Sequence, residues 1–270
     1  MTRGLVLATV LLVGGVAAVS AQRPFGGGFG FRTSEPRVRN PEYDGRFTFA
    51  RIRYMPGPNG YYYYGLPAWA HGYLSPGGGD RAEHTLMQIM SEVSYLSPRV
   101  DDSVVVALDD PDLFKYPVAY MTEPGFWTMN DEEGVGLRAY LMKGGFLIFD
   151  DFRHDGDNRA GGGWDNFEEN MRRALPELRP IPLNPEANAF HSFFEVDSFD
   201  IIPQAYDRDP PEFYGYFENN DQKKRMMAIV NYSTDIAQYW EFSATGFRPI
   251  DESNEAYKLG VNYIIYGLTH

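Results

Sequence analysis

The run Gly144-Gly145-Phe146-Leu147-Ile148-Phe149-Asp150-Asp151-Phe152 constrains this chain more than any other stretch. Four consecutive apolar residues between a glycine pair and two carboxylates read as a strand covered on both faces. Such strands belong to parallel sheets flanked by helices. The polar residues after them lie at the strand's carboxyl end, where open α/β sheets bind their ligands. The stretch therefore predicts a fold class and points to a place for function.

The flanking sequence supplies the helices and further strands. Asn130 with Glu133 makes a capping box. Val135, Leu137, Leu141 and Met142 continue the helix, Lys143 suits its last turn, and Gly144 is the expected left-handed terminator. Asp80 with Glu83 predicts a second cap, ahead of Leu86, Ile89, Met90 and Val93 at helical spacing. Phe47–Tyr54 alternates as a first strand, Val104–Leu108 reads as a buried strand, and Tyr116–Met121 as a third. Asp165 is read as the cap of a helix that stops at Pro176. Phe213–Phe217 and Met226–Val230, joined through Glu218–Asp221, predict an antiparallel hairpin, and Ala256–Leu268 a last helix. Strands alternating with helices predict an α/β three-layer sandwich with a mainly parallel central sheet and a β-hairpin extension.

The N-terminus reads differently. Arg3, then an apolar run from Leu5 to Val19, then small residues at Ala18–Ala21 predict a secretory signal peptide over residues 1–21, with an uncleaved anchor as the alternative. Residues 22–45 are rich in Gly, Arg and Pro and predict a flexible tether. One α/β domain over 46–270 follows. The expected location is periplasmic or secreted, with no membrane span in the mature chain. A net charge of −13 disfavours nucleic acid and anionic surfaces as partners. The chain contains no cysteine, which excludes disulfides, thiolate metal sites and cysteine nucleophiles. The tyrosine run Tyr61–Tyr64 reads either as a platform for a glycan or protein or as rings covering a core edge.

Several segments together resemble a bacterial family called domain of unknown function 4159. They are Phe47–Tyr54, Leu108-Asp109-Asp110-Pro111 with Tyr116-Pro117, Glu123-Pro124-Gly125, Leu137–Phe152 and Gly260–His270. The resemblance implies a flavodoxin-like, class I glutamine-amidotransferase-like fold in an exported or membrane-tethered protein. It implies no activity and transfers no catalytic residue. Amide transfer from glutamine is excluded, because neither a cysteine nor a Gly-x-Ser-x-Gly elbow is present.

The candidate ligand cleft is Asp109, Asp110, Glu123, Asp150, Asp151 and His154. Carboxylates with an imidazole suit a divalent cation or general acid–base work on a sugar or ester. The competing reading is structural, since aspartates after strands also cap helices and form turns. His84 reads as a surface residue and His191, among aromatics, as a hydrogen-bonded core histidine; His270 carries no expected role. No cofactor is required by the sequence, and a divalent cation is the one that would fit. Two functions remain open: an exported, non-catalytic binding or scaffold module with an envelope protein or glycan partner, and a metal-assisted hydrolase of a carbohydrate or ester.

Overall fold

A computed structural model describes residues 38–58, 60, 65–73, 81–152, 163–202 and 210–270. These all fall within one compact unit, Thr33–His270. The expectations for the signal peptide, for the tether up to residue 37, for Tyr61–Tyr64, for the Asp80 cap and for His154 lie outside the described residues.

Among the described residues the central sheet has seven strands: β1 (Ala50–Ile52), β3 (Val104–Val106), β4 (Val118–Thr122), β6 (Phe146–Asp150), β7 (Ile181–Pro182), β8 (Glu212–Phe217) and β9 (Met226–Tyr232). They lie in the order β3-β1-β4-β6-β9-β8-β7. The first five are parallel, and β8 and β7 continue antiparallel beyond β9. Taken by their sequence order, the parallel strands run 2-1-3-4-5, the flavodoxin-like order. A separate two-stranded ribbon pairs β2 (Met55–Pro56) with β5 (Trp127–Thr128). The hairpin is thus a true extension of the sheet: its second strand, β9, also pairs in parallel with β6.

Five α-helices are found among the described residues: α1 (Arg81–Val93), α2 (Asp131–Met142), α3 (Trp164–Ala174), α4 (Ile236–Glu241) and α5 (Ile250–Thr269). The pleat divides each central strand between two cores. Ala119, Met121, Leu147 and Phe149 pack with α2 and α3. Val118, Tyr120, Phe146 and Ile148 face the opposite way, toward α1, α4 and α5. The phenylalanines of β6 are almost wholly buried, each worth about 1.5–3 kcal/mol of apolar transfer. That coverage on both faces explains the unbroken apolar run in the sequence.

The α2 capping box forms as the sequence predicts, with Asn130 accepting from the Glu133 amide and Glu133 from the Asn130 amide. Gly144 follows the helix at φ +109°, a conformation open to glycine and strained for other residues. Gly136 is required for a different reason. A Cβ there would stand 2.0 Å from the Leu108 carbonyl oxygen, so α2 could not lie against the end of β3. α3 starts at Trp164 behind Gly163, and Asp165 falls inside its first turn rather than at the cap. α5 begins at Ile250, six residues before the expected start. No described helix is long and apolar enough to cross a membrane.

Candidate functional site

β1 and β4 are neighbours, yet their crossovers leave on opposite faces: α1 follows β1 and α2 follows β4. This is the switch point at which doubly wound sheets open a crevice beyond the strand ends. The residues that fill it come from the carboxyl ends of β4 and β6, from the loop after β1 and from α4.

Glu123 follows β4 and Asp151 follows β6. Both are buried, and both adopt left-handed backbone, at φ +48° and +61°. For non-glycine residues this costs about 1–2 kcal/mol each, and strain of this kind gathers at ligand sites. The turn is held from behind. The Glu123 amide donates to the Asp150 carbonyl at 3.0 Å. The Tyr54 hydroxyl, shared between the carbonyls of Thr122 and Glu123, lies 2.9 and 2.7 Å from them. Burial first, then the nearby Glu123 and Asp151 carboxylates, hold the Tyr54 phenol well above its usual range, so it stays a donor.

His71 arrives from the loop after β1, just past a 3-10 turn, Ala68–Ala70. Its Nδ1 lies 2.8 Å from Asp151 Oδ2 and 3.0 Å from Glu123 Oε1. Burial works against a charged ring, but the hydrogen bonds to Asp151 and Glu123 outweigh it and raise the imidazole well above its ordinary value. One ligand atom from each of the three residues lies within 4.8 Å of the others. Two donors bound in cis positions to one ion stand about 3 Å apart when the metal–ligand bonds are about 2.0–2.2 Å. The set of one imidazole and two carboxylates suits zinc, manganese or iron better than calcium.

Beside the three lies a cavity of about 190 Å³, lined by Arg51, His71, Thr122, Asp151, Asp235 and Glu241 among others. α4 forms one wall. Asp235 caps it, accepting from the Gln238 amide at 3.0 Å. Burial raises the Glu241 carboxyl above its usual value.

Asp150 has a separate task. Its side chain faces away from Asp151, as the strand pleat requires, and is fully buried. It accepts from Tyr120 Oη at 2.8 Å, Asn231 Nδ2 at 3.1 Å and the amides of Ile236 and Ala237 at 3.3 and 3.2 Å. Tyr263 in turn donates to Asn231 Oδ1 at 3.0 Å. Asp150 therefore ties the first turn of α4 to the centre of the sheet. Burial, and next the Asp235 carboxylate, push it up to about 8, against the pull of Tyr120 and Asn231.

Of the residues the sequence singles out, Glu123 and Asp151 meet at the cluster, while Asp150 braces its wall. Asp109 and Asp110 stay outside it. Asp109 is exposed at the end of edge strand β3, against α2. Asp110 caps a 3-10 turn, accepting from the Asp112 amide at 2.9 Å. His191 bonds through both ring nitrogens, to Glu195 at 2.5 Å and the Pro185 carbonyl at 2.7 Å, but at the surface rather than in the core. His84 is half-buried against the Val100 carbonyl. Sequence reasoning misses His71, Arg51, Asp235 and Glu241. One signal was available: Arg51 interrupts a short apolar strand, and a cation there must find a buried partner.

Fold and cluster together define an α/β protein with a recessed His-Glu-Asp centre at its switch point. The chain belongs to the family described as Domain of unknown function (DUF4159), whose profile matches residues 75–268. No curated protein matches the chain.

Proposed function

We propose that this protein binds a divalent cation through His71, Glu123 and Asp151 and acts as a metal-assisted hydrolase on a small polar substrate seated in the adjoining cavity. The observation that carries this is the convergence of His71 Nδ1 on Asp151 Oδ2 and Glu123 Oε1 at 2.8 and 3.0 Å, beside a lined cavity at the strand ends. A cation held there would polarise the scissile group and acidify a water. Asp235 and Glu241 line the same cavity and would take the water's proton. Three carboxylates in the lining favour a neutral ester or carbohydrate over a phosphorylated ligand. The recess favours this reading over a non-catalytic scaffold module, which needs surface area more than a cavity. Export to the cell envelope, expected from residues 1–21, belongs to the same proposal and matches an extracellular glycan or ester substrate.

The test is thermal unfolding of the full chain in chelator and then with zinc, manganese, magnesium or calcium. An ion at a hundred times its dissociation constant adds about 2.7 kcal/mol, roughly 5–10 °C for a domain of this size. The rise should vanish in Glu123→Gln/Asp151→Asn, along with turnover of ester and glycoside probes. No rise with any ion would overturn the cation site and return the scaffold reading.

A further inference from the structure

β1 places one arginine where its neighbours Ala50 and Ile52 are core. Arg51 is 1 % exposed, and so is its partner Glu83 in the first turn of α1. The guanidinium is divided between two tasks. Nε and Nη2 both reach Glu83 Oε1, at 2.5 Å. Nη1 donates to the Trp69 carbonyl at 3.1 Å and the His71 carbonyl at 2.9 Å. Its Cζ lies 5.4 Å from the Tyr73 ring centroid and 5.3 Å from that of Tyr120, and Tyr120 donates to Asp150. One side chain thus touches the histidine loop, the first turn of α1 and the partner of the residue that anchors α4. The first two border the cavity, through His71 and Ala82.

A buried ion pair is a poor source of stability, because removing both charges from water offsets most of their attraction. Apolar residues of similar size would hold β1 to α1 as well. What apolar residues cannot do is grip two carbonyls of a loop, those of Trp69 and His71 on either side of Ala70. Lysine could not do so either while also facing Glu83: its single ammonium lacks the planar fork that presents donors on two edges.

We propose that the Arg51–Glu83 pair is a positioning device: Glu83 orients the guanidinium, and the guanidinium holds the Trp69 and His71 carbonyls so that the His71 ring meets Glu123 and Asp151. This rests on the cation-site reading for its consequence but not for its geometry. Residues behind metal ligands typically change affinity by about 10–100-fold when removed. The pair stands one step further back, acting through the backbone of the ligand rather than its ring.

The test compares full-length wild type with Arg51→Lys, Arg51→Met/Glu83→Gln and His71→Ala. Two quantities are read: the dissociation constant for zinc or manganese, and hydrogen exchange of the 66–73 segment in chelator. Both Arg51 variants should lose about tenfold or more in cation affinity and exchange that segment faster, while the rest of the sheet keeps its protection. The double variant leaves no orphaned charge and should fold; Arg51→Lys covers the case in which it does not. If folded Arg51 variants bind the cation within twofold of wild type, or exchange 66–73 at the wild-type rate, the positioning role is wrong. If His71→Ala also binds the cation normally, the cation reading itself falls. The exchange rates then decide the Arg51 role alone.

Discussion

β3 and β6 end alike in the sequence and differently in space. Each runs from buried apolar residues straight into two aspartates, Asp109-Asp110 in one case and Asp150-Asp151 in the other. Among the described residues β3 is the edge of the sheet, with β1 as its strand neighbour. Its aspartates emerge toward solvent, one exposed and one capping a short turn. β6 is central, between β4 and β9. Its aspartates emerge where strand ends converge on both sides, so Asp150 and Asp151 are both buried and both engaged. The same dipeptide is a turn former at an edge and a site at the centre. Sheet position decides what the carboxylates meet.

That contrast can be broken by mutation. Asp150→Ala should have the largest effect. It leaves the Tyr120 hydroxyl, the Asn231 amide and two α4 amides without their acceptor, and each buried unsatisfied group costs about 1–3 kcal/mol. With partial relaxation the loss should be about 3–5 kcal/mol, read as a melting point lower by roughly 10 °C. Asp110→Ala removes one cap bond and should cost about 1 kcal/mol or less. Equal losses at the two positions would abolish the distinction.

A pH series sharpens the same point. The unfolded carboxyl titrates near 3.9, whereas folded Asp150 is pushed up to about 8. Between those values the native state holds the extra proton, so the contribution of this group falls as pH rises from about 4 through about 8. In chelator, the wild-type melting point should decline across that window more steeply than that of Asp150→Asn. Parallel curves would show that the buried carboxyl is not raised.

Asp151→Asn should separate site from scaffold. Asparagine tolerates left-handed backbone, so stability in chelator should change by about 1 kcal/mol or less while cation affinity falls at least tenfold. Asp109→Asn, the smallest change, should stay within about 0.5 kcal/mol and leave cation binding untouched. A loss of affinity there would bring the β3 edge into the site.

Much of the fold was legible because it rests on local signals. The Asn130–Glu133 box, the Gly144 terminator and the apolar run of β6 are written in consecutive residues, and all three appear where expected. α4 was not legible. It is six residues long, too short for a periodic pattern to declare itself, and it exists because Asp150 and Asp235 hold its first turn. The site was legible by half. Glu123 and Asp151 were accessible because a residue after a parallel strand has a known address. His71 was not, since Ala-His-Gly after a loop carries no spacing that ties it to either carboxylate.

By itself, then, the sequence determined the α/β class, six strands of the main sheet and most helices, the absence of thiol chemistry and the strand ends at which to look, but not β7 or the β2–β5 ribbon. Those follow from periodicity, capping and composition, which act over a few residues. Tertiary structure alone decided which aspartates are buried, that Asp150 and Asp151 serve different masters, and that His71 closes the cluster with Arg51 behind it. These depend on strand order and on crossovers to opposite faces. They bring residues 51, 71, 83, 123, 151 and 235 together, at the cavity or in contact with its lining, across nearly two hundred positions of chain, and no local pattern encodes that meeting.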